Sequence, residues 1–157
     1  MSAVAIELEV LGDTRRLWDD WLADAARRVR SIAELDVESL PKDRGEAAAE
    51  LDRWAEQGVG DWRGALRRFA EDRAPLYLRP EAAVSAKLRA LEGSGFRLGV
   101  FTDAPEPLAR VALAQLGATR RIEQLETGAG ALERLLVKLG SEAAIIRTRD
   151  ELSDLGG

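Results

Sequence analysis

The chain contains neither cysteine nor histidine. The first absence excludes disulfides and thiolate metal sites. The second removes the commonest general base and the commonest transition-metal ligand. Any chemistry must therefore run on carboxylates, Lys, Arg, hydroxyls or backbone dipoles. Any metal would be a hard ion held by oxygens, such as magnesium. Long apolar runs are also missing, and none approaches the roughly 20 residues that a membrane span needs. No positive region followed by a long apolar stretch opens the chain, so the expectation is a soluble, cytoplasmic protein. An excess of positive charge is lacking too. The formal net charge is -5, which argues against nucleic-acid binding and its basic face. Aromatic residues are scarce at 5%, so where they gather marks a core.

What remains is a chain of 157 residues, long enough for one domain, or for a core domain with a small insertion. Residues 3–10, "AVAIELEV", read as a buried parallel strand in which Val4, Ile6, Leu8 and Val10 alternate with small or acidic residues. Glu7 and Glu9 lie near its carboxyl end, where a charge reaches a solvated crevice. Gly12-Asp13 makes the turn.

From Thr14 to about Arg79 the pattern is helical, broken at Pro41 and again at Gly58-Val-Gly60, with Asp61 placed to cap the next helix. All four tryptophans, Trp18, Trp21, Trp54 and Trp62, fall here. Their spacing suits the core of a small bundle, and one of them lining a pocket is the functional alternative. After Pro80 strands and helices alternate. "FRLGVFTDA" is an apolar strand, "PEPLARVALAQLG" a helix opened by Pro105, "RIEQLET" a weak strand, "GAGALERLLVKLG" a helix and "EAAIIR" a short strand. This rhythm predicts a parallel sheet with right-handed crossovers.

The order of these parts resembles the haloacid dehalogenase (HAD) superfamily of phosphatases and their relatives. "AIELEVLGDT" is similar to the motif that delivers Asp-x-Asp on a strand before a helical cap. "LGVFTDAPEPLARVALAQLG" is similar to the second motif, a strand ending in Thr or Ser. "LETGAGALERLLVKLG" and "AAIIRTRDELSDL" occupy the places of the third and fourth. The resemblance implies an α/β, Rossmann-like parallel sheet flanked by helices, with a small helical cap inserted after the first strand. Residues 1–13 and 80–157 would be the core and 14–79 the cap.

Carried over by position, Glu7 falls on the nucleophile and Glu9 on the acid/base of that family. Each is one methylene longer than Asp, and misplacing a reacting group by about 1 Å costs roughly a hundredfold in rate. Val10 stands where Gly is usual. Thr102 matches the phosphate-holding hydroxyl, and Asp103 suits an N-cap or hinge. The Lys expected near Thr127 is replaced by Gly128-Ala129-Gly130. Lys138 suits a solvated helical charge. The fourth motif has two registers. In one, the strand ends at Arg147 with no acid at its tip, and Thr148-x-x-Glu151 is a capping box. In the other, Asp150 and Asp154 form an acid pair.

The expectation is a HAD-like hydrolase homologue without phosphatase activity, serving a binding, regulatory or assembly role. The alternative is an active magnesium-dependent phosphomonoester hydrolase using Glu7, Glu9 and Thr102, with Glu7, Glu9 and Asp150 around the metal. A third reading is a small-molecule binder at the sheet's carboxyl edge. A small phosphorylated ligand or a protein would be the partner.

Overall fold

The computed structural model describes residues 2–156. Four strands make one sheet: β1 (Ala3–Glu7), β2 (Arg97–Thr102), β3 (Gln124–Thr127) and β4 (Ala144–Ile146). Their order is β3-β2-β1-β4, and all pairings are parallel. Ile6 lies opposite both Val100 and Ile146, and Thr102 lies opposite Thr127. The chain thus builds outward from β1 in both directions. An open parallel sheet places its crevice beyond the carboxyl ends at such a reversal.

Parallel strands need crossovers, and helices supply them. After β1 come a short turn of helix, α1 (Leu8–Leu11), then α2 (Arg15–Arg28), a 3-10 turn at Val37–Ser39 and α3 (Arg44–Trp54). A π-turn at Ala55–Val59 ends α3, and Gly58 inside it takes a φ of 113° that only glycine adopts freely. Next are α4 (Trp62–Tyr77) and α5 (Ala82–Gly93), leading to β2. Further along are α6 (Glu106–Gln115), α7 (Ala131–Leu139) and α8 (Arg149–Asp154). Asp61 caps α4 by accepting from the Gly64 N–H at 2.9 Å.

Both sheet faces are covered. Ala131, Leu135 and Leu139 of α7 pack on Ala3, Ala5 and Phe101. Gly99 permits this approach, because a Cβ there would stand 2.7 Å from Leu135 and Leu139. On the other face Val4, Ile6, Leu98 and Val100 join Leu108, Ala112 and Leu152, and the same buried cluster continues through Trp18, Trp21, Trp54 and Trp62. Trp21 touches both Trp18 and Trp62, with ring centroids 5.5 and 5.8 Å apart. Among the described residues no helix is long and apolar enough to cross a membrane.

The first strand is shorter than its alternation suggested. It ends at Glu7, and residues 8–11 turn into helix, with the Gly12 N–H reaching the Leu8 carbonyl at 3.2 Å. Leu8, Val10 and Leu11 are all buried in that turn, which an extended continuation would not achieve on one side.

Candidate functional site

The strand ends bring three of the residues singled out in the sequence to one cavity. Glu7, Glu9 and Thr102 line a crevice of about 330 Å3, together with Arg44, Asp103 and Arg147. Glu7 leaves the tip of β1, and its Oε2 accepts from Arg147 Nη1 at 2.9 Å. The Arg147 guanidinium also stands 5.3 Å over the Phe101 ring, a favourable cation–π placement. Thr102 is buried, and its hydroxyl oxygen accepts from the Ala104 N–H at 3.1 Å. That contact tightens the turn after β2.

Glu9 lines the same crevice but bonds other partners than Glu7, because the chain has already turned into α1. Its Oε2 accepts from the Thr14 N–H at 2.7 Å, and its Oε1 accepts from the Thr14 hydroxyl at 2.5 Å. The decisive neighbour is Arg44, the first residue of α3, whose side chain is 1% exposed. Its Nη2 donates to Glu9 Oε1 at 2.8 Å and to Asp103 Oδ1 at 2.9 Å. Its Nε donates to Asp103 Oδ1 at 3.0 Å, its Nη1 to the Thr14 hydroxyl at 2.7 Å, and its backbone N–H to Asp103 Oδ2 at 2.9 Å. One guanidinium is thus clamped between two carboxylates from two different crossovers.

A buried cation without partners would cost several kcal/mol, roughly, which is why it is so fully bonded. Burial pushes the Asp103 carboxyl upward. The backbone N–H and charge of Arg44, aided by Arg15, outweigh that and hold it below its ordinary range. Arg15 Nη2 lies 3.6 Å from Asp103 Oδ2. Asp103 therefore does not cap α6. Pro105 occupies that cap position, and no side chain bonds to it.

Comparison with solved structures places the whole chain beside a Thermotoga maritima protein assigned as a beta-phosphoglucomutase. The two share 15% identity at a TM-score of 0.51, over 99% of this chain and 98% of that one. The fold is HAD-like. No protein-family model matches the sequence, and no curated protein matches it.

Within the HAD-like frame, Gly128 and Gly130 of the third motif also line the crevice, whereas Arg134, Lys138 and Asp150 do not. Lys138 Nζ bonds Glu126 Oε2 at 2.5 Å, and Arg134 bonds Glu126 Oε1 at 3.0 Å. The hydrogen bond from Lys138, opposed by burial and joined by Arg134, keeps the Glu126 carboxyl below its ordinary range. Neither cation lines the crevice. Gly128 and Gly130 take φ values of 78° and 72° in the turn before α7, a conformation that favours glycine. At the fourth motif β4 stops at Ile146, Thr148 Oγ1 accepts from the Glu151 N–H at 3.1 Å, and Glu151 Oε1 accepts from the Arg147 N–H at 3.2 Å. That is the capping-box register. Asp150 stands exposed in the first turn of α8.

These donors do not fit magnesium. Glu7 bonds Arg147, Glu9 bonds Arg44 and Thr14, and among the described residues no three acids are placed to hold one metal ion together. A hard divalent ion needs carboxylate oxygens that are not already neutralised. The four tryptophans line neither this crevice nor the larger cleft beside it.

Arg44 and Arg147 were not singled out as site residues from the sequence. Arg44 carried one readable signal. It follows the capping pattern Asp43-x-x-Glu46 and so sits at the first position of a helix, where the macrodipole disfavours a cation. Such a placement implies an acidic partner from outside the helix. Arg147 lies outside the strand it follows, and only the β1–β4 pairing sets it beside Glu7.

Proposed function

We propose that this HAD-like protein does not transfer phosphoryl groups and instead serves as a binding, regulatory or assembly module. The observation that carries the reading is Arg44, held between Glu9 and Asp103 in the crevice at the sheet's carboxyl edge. In the HAD resemblance that crevice must admit a phosphoryl group and a metal ion, and it must leave the acid/base carboxylate free to move a proton. Here the acid/base position is held in an ion pair with the Arg44 guanidinium. The nucleophile position is drawn to Arg147, and both carboxylates carry an extra methylene. Residues that act as a unit in catalysis lose most of its power when any member fails. We take residues 1–13 and 80–157 as the core and 14–79 as the cap, and the cytoplasm as the place of action. The partner would be a small phosphorylated ligand or a protein.

The test is hydrolysis of an aryl phosphate with magnesium, alongside calorimetric titration of magnesium alone. The expected result is release no faster than the buffer blank, and no binding heat. Turnover that disappears in Glu7→Gln would establish the magnesium-dependent phosphomonoester hydrolase instead.

A further inference from the structure

Behind the Arg44–Asp103 pair lies a second cleft of about 900 Å3, bounded by α3, α4, α6 and the turn before α7. Neither Glu7 nor Glu9 lines it. Arg44 and Asp103 form part of its wall and separate it from the crevice described above. Its volume falls within the roughly 300–1,000 Å3 of ordinary small-molecule sites.

The lining has two parts. The apolar lining is low, made of Ala48, Val111 and Ala114 with Pro105 and Pro107, and Ala74 is buried beneath it. No apolar side chain there is larger than valine, so the space between the helices stays open. The rim carries guanidinium groups. Arg63, Arg67 and Glu71 recur every fourth residue along α4, and Glu106 and Arg110 face them from α6. Arg63 is already used, since both of its Nη atoms reach Asp52, at 2.7 and 3.5 Å.

Arg67 and Arg110 differ from it. Each bonds its helical neighbour through Nε alone, to Glu71 at 2.9 Å and to Glu106 at 2.8 Å. Among the described residues no other hydrogen bond engages either guanidinium, so the Nη edges remain available. Their side chains are 68% and 64% exposed, and such surface i,i+4 pairs contribute only about 0.3–0.5 kcal/mol. Little therefore opposes their turning toward a ligand. A guanidinium edge matches a carboxylate, sulfonate or phosphate through two parallel N–H donors. Glu71 and Glu106 balance the two arginines, so recognition rests on these directed hydrogen bonds rather than on a positive field.

We propose that this cleft binds a small amphipathic organic anion. Its apolar body lies on Ala48, Val111 and Ala114, and its acid group is taken by the Nη edges of Arg67 and Arg110. The site is independent of any phosphoryl chemistry in the neighbouring crevice.

The experiment is isothermal calorimetry of the intact protein with naphthalene-2-sulfonate, which no phosphatase hydrolyses, and with uncharged 2-naphthalenemethanol. Saturable sulfonate binding with a Kd below about 1 mM is expected, with the alcohol at least tenfold weaker. Ala114→Trp, at an exposed helix position lining the cleft, should abolish binding by occupying the cleft. Arg67→Gln with Arg110→Gln should weaken it at least tenfold, whereas Glu71→Gln with Glu106→Gln should leave it equal or tighter. Circular dichroism of each variant separates lost binding from lost folding. No saturable binding to the folded wild type, or binding that folded Ala114→Trp and the arginine variants retain, would overturn the proposal. Because the readout is binding of a non-hydrolysable anion, it can fail or succeed whatever the aryl phosphate assay returns.

Discussion

At the residue scale, Arg44 holds the crevice together. It joins Glu9 in α1 to Asp103 just after β2, and it does so from a third element, α3. Removing one member of a buried ion network is costly because it strands the others. The usual penalty of about 3–5 kcal/mol needs discounting here, since Glu9 and Asp103 are partly exposed. Arg44→Met should therefore destabilise the protein by about 2 kcal/mol, read as a lower urea midpoint at neutral pH. Lysine cannot reproduce the fork that reaches Thr14, Glu9 and Asp103 together, so Arg44→Lys should recover less than half of that loss. The same network sets an acid limb. The Asp103 carboxyl is held below its ordinary 3.8 in the folded state, so the unfolded chain binds the extra proton first. Its contribution is complete above the unfolded value and disappears as pH falls through the folded one. Urea midpoints should fall as pH drops through and below the ordinary carboxylate range, and the fall should be shallower in Asp103→Asn.

At the element scale, the placement of α3 decides whether Arg44 can reach its partners. Its second residue, Gly45, lies against the turn before α7. A Cβ there would stand 2.5 Å from the Ala129 backbone nitrogen. Backbone cannot yield as a side-chain tip does, so Gly45→Ala must push the helix outward. A cost of about 1–3 kcal/mol is expected by thermal unfolding, and it should be smaller in an Arg44→Met background, where less depends on the position of the helix. The capping box of α8 gives a second expectation. Thr148 is the N-cap of a helix of six residues that buries Leu152. Thr148→Ala should cost about 1 kcal/mol, measured by urea unfolding, while Thr148→Ser should be nearly neutral.

At the scale of the whole molecule, the helical insertion and the sheet share one buried cluster, running from Ile6 and Leu108 through Leu17 and Trp21 to Trp62. Continuous packing implies a single cooperative transition. Every tryptophan lies between residues 18 and 62, so fluorescence reports on the insertion while far-UV circular dichroism reports on all helices. The two denaturation curves should coincide, and Trp21→Ala should shift both by the same amount. Its cost should be about 3–5 kcal/mol. Separate midpoints would mean that residues 14–79 unfold as a unit of their own.

The sequence by itself determined the alternation of strands and helices, the helical stretch after β1 and the cap at Asp61, and it narrowed the fourth motif to two registers without choosing between them. These rest on local signals: apolar period, glycine and proline punctuation, and capping oxygens within one turn of their donors. Only the tertiary structure decided where β1 ended, since extended and helical backbone can both bury Leu8 and Val10 until neighbours are present. It alone paired Glu7 with Arg147, 140 residues away, and delivered Arg44 to Asp103 across 59. Such contacts leave no trace in any short window. A buried guanidinium is acceptable only where carboxylates arrive from distant crossovers, and that arrival is a property of the packed sheet.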